Sequence, residues 1–152
     1  MKISHISKHP NAIPIIANWI VDEWGDTAPG VNFKNITTSL KREIIENKIP
    51  KTFIAFEKDR YLGTASIFEN DMSTRPELTP WLAAVYVDSK YRNKGVGSEL
   101  VKFVMNEAKS LDLKKLYLWT ANKMNFYQNL DWKFFERTNF LNKDVTIMIY
   151  EF

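Results

Sequence analysis

The sequence of 152 residues contains no cysteine. That absence excludes disulfides, thiolate zinc sites, iron–sulfur clusters and any covalent route through a cysteine acyl intermediate. Histidine is nearly as scarce, with only His5 and His9, both close to the start of the chain. A histidine triad or a multi-histidine metal site is not expected from these two, and no metal is assigned. No hydrophobic run is long enough to span a bilayer, so no membrane partner is expected. The apolar stretch Ile13–Val21 follows Lys2 and Lys8, but Pro14 and Asn18 interrupt it and Asp22-Glu23 ends it without a small-residue cleavage site. It reads as an amphipathic helix rather than a signal peptide, and a cytoplasmic location is the default. Charge of one sign is also lacking: 21 Lys and Arg against 18 Asp and Glu leave a net +3, too little to imply a nucleic-acid partner. Chemistry must therefore rest on Tyr, Asp, Glu, Lys, Ser or Thr, on backbone groups, or on a bound cosubstrate.

Aromatic residues are plentiful, with 10 Phe, 6 Tyr and 5 Trp for core and pocket walls. Ile13, Ile16, Ile20 and Trp24 recur at helical spacing within Pro10–Trp24, and Ile36, Leu40 and Ile44 do so within Ile36–Asn47, with Asn35 or Thr37 as its cap. The period then changes. Thr52–Glu57 and Tyr61–Phe68 flank a Lys-Asp-Arg turn as a hairpin, a polar stretch covers Glu69–Pro80, and Leu82–Val87 forms a buried strand. A helix over Ser98–Leu111, a strand over Lys115–Trp119, a short helix over Asn122–Asn129 and strands over Trp132–Arg137 and Val145–Tyr150 complete the chain. With no repeat and no linker, the expectation is one α/β domain over residues 1–152.

The segment Val85-Tyr86-Val87-Asp88-Ser89-Lys90-Tyr91-Arg92-Asn93-Lys94-Gly95-Val96-Gly97-Ser98 concentrates the chemistry. A buried strand ends, a basic loop with two glycines follows, and an amphipathic helix begins at once. Glycines admit a ligand close to the backbone, the first helical N–H groups are unpaired, and the helix dipole favours negative charge. Arg92 and Lys94 add full positive charges. The natural ligand is a phosphate or pyrophosphate. The spacing fits neither a Walker loop nor the dinucleotide fingerprint, since Leu100 stands where the latter needs its last glycine.

Arg92, Gly95 and Gly97 instead match Gln/Arg-x-x-Gly-x-Gly/Ala, and the segment resembles the acyl-coenzyme A motif of the GCN5-related N-acetyltransferase (GNAT) superfamily. The resemblance extends along most of the chain. The element order is similar to the whole GNAT fold, and Phe126-Tyr127-Gln128-Asn129-Leu130-Asp131-Trp132 resembles the family's F-Y-x-x-L-G-F/W pattern. Thr79-Pro80-Trp81-Leu82-Ala83 is also similar to a stretch in a bacterial subgroup. The implied fold is a mixed, mostly antiparallel central sheet flanked by helices. The implied activity is transfer of an acetyl group from acetyl-coenzyme A to a primary amine of a small molecule or peptide. With no cysteine to carry the acetyl group, transfer would be direct, in a ternary complex.

On this resemblance the cosubstrate would lie against Val85, Val87, Arg92, Asn93, Lys94, Gly95, Val96, Gly97, Ser98 and Thr120, and Tyr127 would be the acid for the leaving thiolate. Three positions depart from the family pattern: Asn93 and Asp131 stand at common glycines, and Thr120 stands where an Asn is usual. Acidic loops would border the acceptor pocket and attract a cationic amine: Asp22, Glu23 and Asp26 after the first helix, and Glu69, Asp71 and Glu77 before the motif strand. Trp24, Trp81 and Trp119 could wall that pocket. Two other readings stay open: a non-catalytic acyl-coenzyme A sensor on the same fold, and a nucleic-acid module using Lys90, Arg92 and Lys94. The acceptor, the general base and whether the chain forms a homodimer are open at this stage.

Overall fold

The computed structural model describes all 152 residues. Seven strands form one sheet: β1 (Lys2–His5), β2 (Lys51–Glu57), β3 (Arg60–Phe68), β4 (Trp81–Val87), β5 (Lys115–Thr120), β6 (Lys133–Phe140) and β7 (Lys143–Glu151). Their spatial order is β1-β2-β3-β4-β5-β7-β6. Every neighbouring pair is antiparallel except β4 and β5. The expected mixed, mostly antiparallel sheet flanked by helices is thus observed. β1 was not expected: four residues are too few for a periodic signal, and their pairing with Phe53–Phe56 defines the strand.

Helices α1 (Ile13–Trp24) and α2 (Phe33–Glu46) cover one face of the sheet. The stripe Ile13, Ile16, Trp19 and Ile20 buries against Ile6, Leu40 and Ile54. Helix α2 starts before the expected Ile36, because Asn32 is the cap: its side chain accepts from Asn35 N–H at 2.9 Å. Thr37 lies inside the helix, its hydroxyl donating to Phe33 O at 2.9 Å. Helices α3 (Val96–Ser110) and α4 (Met124–Gln128) pack on the opposite face. There Leu100, Val101, Val104 and Ala108 are fully buried, and the larger three each contribute about 2 kcal/mol of apolar burial.

Alternation along β5 divides its side chains between the two faces. Leu116 and Leu118 join the α3 side, whereas Tyr117 and Trp119 join a third cluster with Met72, Leu78, Trp81 and Ile147. A buried polar group closes the α2 side. The Glu43 carboxylate accepts Thr52 N–H at 2.6 Å and the Thr52 hydroxyl at 2.9 Å, and the Thr52 and Ser66 hydroxyls are 2.8 Å apart. Burial raises the Glu43 carboxyl to about 7, the Thr52 bonds and Lys51 opposing it. His5 Nε2 lies 3.7 Å from Glu43. Burial, with Lys51 in support, lowers the His5 pKa, so near neutral pH this is a contact with an uncharged ring rather than an ion pair.

The feature that shapes the functional site is a bulge in β4. Ser66 pairs with Ala83 and Thr64 with Tyr86, so Ala84 and Val85 oppose the single residue Ala65. Ala84 takes the bulge with φ of +51°, and its methyl group is the smallest side chain that can sit there. Beyond the pair Trp81–Tyr117, β4 and β5 share no further residue pairs. The strands splay and leave an opening through the sheet.

Candidate active site

A cleft of about 1010 Å³ occupies that opening. Its α3-side wall is built from the end of β4, the loop that follows, the first turn of α3, the end of β5 and α4. Val85 and Val87 contact the α3-side core, while Ala84 and Tyr86 contact the α1–α2 core, so the bulged strand presents side chains to both mouths.

The loop folds as a cradle of backbone donors. Asp88 anchors it: its N–H donates to Leu62 O at 2.9 Å and its carboxylate accepts from Lys90 N–H at 2.9 Å. Arg92 turns back on the strand, its Nε donating to Val87 O at 2.8 Å and its guanidinium lying 5.2 Å from the Tyr86 ring centroid. Asn93 and Gly95 then adopt left-handed conformations, with φ of +61° and +84°. Asparagine is among the few non-glycine residues that enter this region readily, so its place at a common family glycine is accommodated. No amide from Asn93 to Ser98 donates to an acceptor within the protein. Those N–H groups, with the N-terminal end of α3 behind them, form an anion-binding nest.

A cradle of this kind fits coenzyme A in a second respect. A Cβ at Gly97 would stand 3.5 Å from Val87 Cγ2 and 3.6 Å from the Phe126 ring, filling space between the loop and α4 without displacing either. Nothing in the fold needs a glycine there for space, and its φ is not left-handed. The glycine keeps the floor of the cleft open.

Tyr127 reaches the cleft from α4 and is only 9% exposed. Its ring packs edge-on to Phe126 and Trp132, at centroid distances of 4.9 and 6.3 Å. Burial alone pushes the phenol up to about 12, so it keeps its proton throughout the neutral range. Asp131 closes the turn after α4 at φ +68°, the left-handed conformation a glycine commonly provides. Thr120 also lines the cleft, and its Oγ1 accepts from Lys123 N–H at 3.0 Å, leaving its own proton free to donate.

The α1–α2 mouth is assembled from separate segments, and the expected acidic loops divide there. Glu23, Trp24 and Asp71 line the cleft, whereas Asp22, Asp26 and Glu69 do not. Glu77 is also outside it, its carboxylate accepting from Arg75 Nε at 3.0 Å. Lys94 is exposed outside the lining, unlike its neighbours Arg92, Asn93, Gly95, Val96, Gly97 and Ser98. Trp81 is a correction to the pocket-wall expectation. It is fully buried, and its Nε1 donates to Leu78 O at 2.7 Å, which satisfies the indole inside the third core cluster. Trp24 and Trp119 line the cleft as expected, joined by Phe68, Tyr86 and Phe140, for which the sequence carries no pocket signal. Asp71 is held by Trp119, whose Nε1 donates to its carbonyl oxygen at 3.1 Å. Burial raises the Asp71 carboxyl to about 7, with the Trp119 indole opposing the shift.

Comparison with known proteins agrees with this architecture. The model of the acetyltransferase (GNAT) family matches residues 14–140, and the chain belongs to that family. Its structure is similar to an aminoglycoside 6′-N-acetyltransferase solved with coenzyme A, with a TM-score of 0.77, 14% identity, and 99% of this chain and 97% of that chain covered. It is also similar to a ribosomal-protein-alanine N-acetyltransferase from Brucella melitensis, with a TM-score of 0.79, 16% identity and 100% coverage of both chains. An N-acetyltransferase from Staphylococcus aureus Mu50 has a TM-score of 0.71 at 18% identity, covering 99% of this chain and 96% of that one. No curated protein sequence matches the chain significantly. At these identities the likeness establishes the fold, and the site must speak for the chemistry.

Proposed function

We propose that this chain, as one domain, is an N-acetyltransferase that moves an acetyl group from acetyl-coenzyme A to a primary amine of a small molecule or peptide in the cytoplasm. The observation that carries this reading is a single cleft through the sheet, with an anion nest and a protonated phenol on one side and a half-buried carboxylate on the other. When bound, acetyl-coenzyme A would supply the activated acetyl thioester.

The residues of the chain have distinct tasks in this reading. The amides of Asn93 to Ser98 hold the pyrophosphate, with Arg92 adding charge at the rim. Val85 and Val87 flank the arm of the cosubstrate, and a β4 amide near Val87 polarises the carbonyl oxygen. Tyr127 holds a proton at its hydroxyl for the departing sulfur. Without cysteine the protein has no thiol to accept the acetyl group, so the amine must meet the thioester directly in a ternary complex.

A thiol-release assay with acetyl-coenzyme A over a panel of primary amines tests the proposal. Amine-dependent release of free thiol, matched by acetylated product in a mass spectrum, is the expected result. Tight binding of acetyl-coenzyme A with no release over the whole panel would replace the enzyme reading with that of a sensor.

A further inference from the structure

Acidic residues in the two loops give the sequence the look of a protein for polycationic amines, but most of that charge lies away from the cleft. Among the lining residues only Glu23 and Asp71 carry carboxylates, while Arg92, Lys123 and Lys143 carry positive charge. With Arg92 given to the pyrophosphate, a polycation entering this cleft would meet two carboxylates and two ammonium groups, with no excess of anions to hold it. Glu23 is exposed at the rim. Asp71 is therefore the single interior seat for an ammonium group.

The cleft that Asp71 enters has mostly apolar walls, among them Trp24 and Ile36 from α1 and α2, Phe68 from β3, Trp119 from β5 and Phe140 from β6. Trp119 and Phe140 meet edge-on at 5.4 Å, giving a rigid aromatic corner beside Asp71. The same Trp119 fixes the Asp71 main chain, so the residue that carries the carboxylate is tied to the aromatic wall.

We propose that the acceptor is an amine with one ammonium group on an apolar, aromatic-sized body, and that Asp71 receives the ammonium proton. This rests on the N-acetyltransferase reading above and narrows it to a substrate class. The proton balance closes with residues of the chain. The N–C bond forms as the C–S bond breaks, and the ammonium loses two protons. One passes to Asp71 and then to water, and the other replaces the proton that Tyr127 gives to sulfur. Asp71 is suited to this because its carboxyl titrates at about 7. Burial raises it and the Trp119 indole opposes the rise; the charged groups on the other walls are Glu23 on α1, Arg92 in the loop, Lys123 before α4 and Lys143 on β7.

The test is thiol release by the full chain with 2-phenylethylamine and tryptamine against spermidine and kanamycin, followed by Asp71→Asn on the best amine. The arylalkylamines should exceed the polycations in kcat/KM by about 30-fold, the worth of burying one aromatic ring. Asp71→Asn should lower kcat/KM by about 100-fold near neutral pH. Its pH profile separates a proton acceptor from a structural prop. The wild type should rise through pH 7 and then level off, whereas the variant should climb about tenfold per pH unit towards the amine pKa of about 10. Turnover with spermidine or kanamycin preferred, or an Asp71→Asn profile that keeps the plateau, overturns this acceptor assignment and leaves acetyl transfer standing. Release with none of these amines overturns the acceptor assignment, and no release with peptide amines as well overturns acetyl transfer itself.

Discussion

Replacing Glu43 with Gln removes a buried ionisation while keeping its hydrogen bonds. Glu43 is 4% exposed, and its carboxyl is raised from 4.5 to about 7 chiefly by burial. A raised folded-state pKa means the native protein holds this proton more tightly than the unfolded chain does. The stabilisation is complete below about pH 4.5 and is lost as pH rises through about 7. The whole effect is about 3 kcal/mol, and most of it falls between pH 5 and pH 8. In the variant, Gln Oε1 accepts from Thr52 N–H and Nε2 donates to the Thr52 hydroxyl, which turns its proton to Ser66. His5, whose lowered pKa works in the opposite sense, and Asp71, whose raised pKa works in the same sense, remain in both proteins. Urea unfolding at pH 5 and pH 8 measures the difference. The wild type should lose about 2 to 3 kcal/mol more than Glu43→Gln across that interval. Equal losses in the two proteins would refute the argument from burial.

Four further outcomes follow from the geometry. Tyr127→Phe should lower kcat by about 100-fold with acetyl-coenzyme A affinity intact. Because the phenol titrates at about 12, wild-type activity should show no loss assignable to Tyr127 up to pH 9, as a pH–rate profile would reveal. Gly63→Ala should cost about 2 kcal/mol, since its Cβ would lie 2.6 Å from the Tyr86 carbonyl oxygen, and thermal unfolding should register a fall of about 5 °C. Gly95→Ala meets no neighbour within 4 Å but must hold φ near +84°, so calorimetry should find a smaller loss of about 1 kcal/mol together with weaker cosubstrate binding.

Much of this arrangement was legible because local chemistry and tertiary structure ask for the same thing. Arg92, Gly95 and Gly97 lie between a strand and a helix, and the nest needs little beyond those neighbours. Asn93 and Asp131, read as departures from a glycine pattern, sit at positive φ where their residue types are tolerated. The illegible parts depend on distant partners. The opening of the sheet follows from a bulge at Ala84, where no glycine announces a turn. Composition alone could not tell which loop carboxylates face inward: Glu77 is taken by Arg75, and Asp71 is fixed by Trp119, far along the chain. Trp81 shows the reverse error, an aromatic residue near the motif that a nearby carbonyl draws into the core. Part of the aromatic excess forms the walls of the cleft, and Trp119 and Phe140 are its clearest members.

The central claim is that the cleft between β4 and β5 holds acetyl-coenzyme A through the loop from Arg92 to Ser98. Calorimetric titration of acetyl-coenzyme A into the wild type and Gly97→Val tests it most directly. At Gly97 a Cβ makes only ordinary contacts, at 3.5 Å and beyond, and because the γ-methyls of Gly97→Val reach further, its unfolding temperature is measured alongside to show that the variant is folded. The account predicts one cosubstrate bound per wild-type chain and an affinity at least about 30-fold weaker in Gly97→Val, from a side chain filling the floor of the site. Equal affinity in the two proteins, or no binding to the wild type, would contradict it.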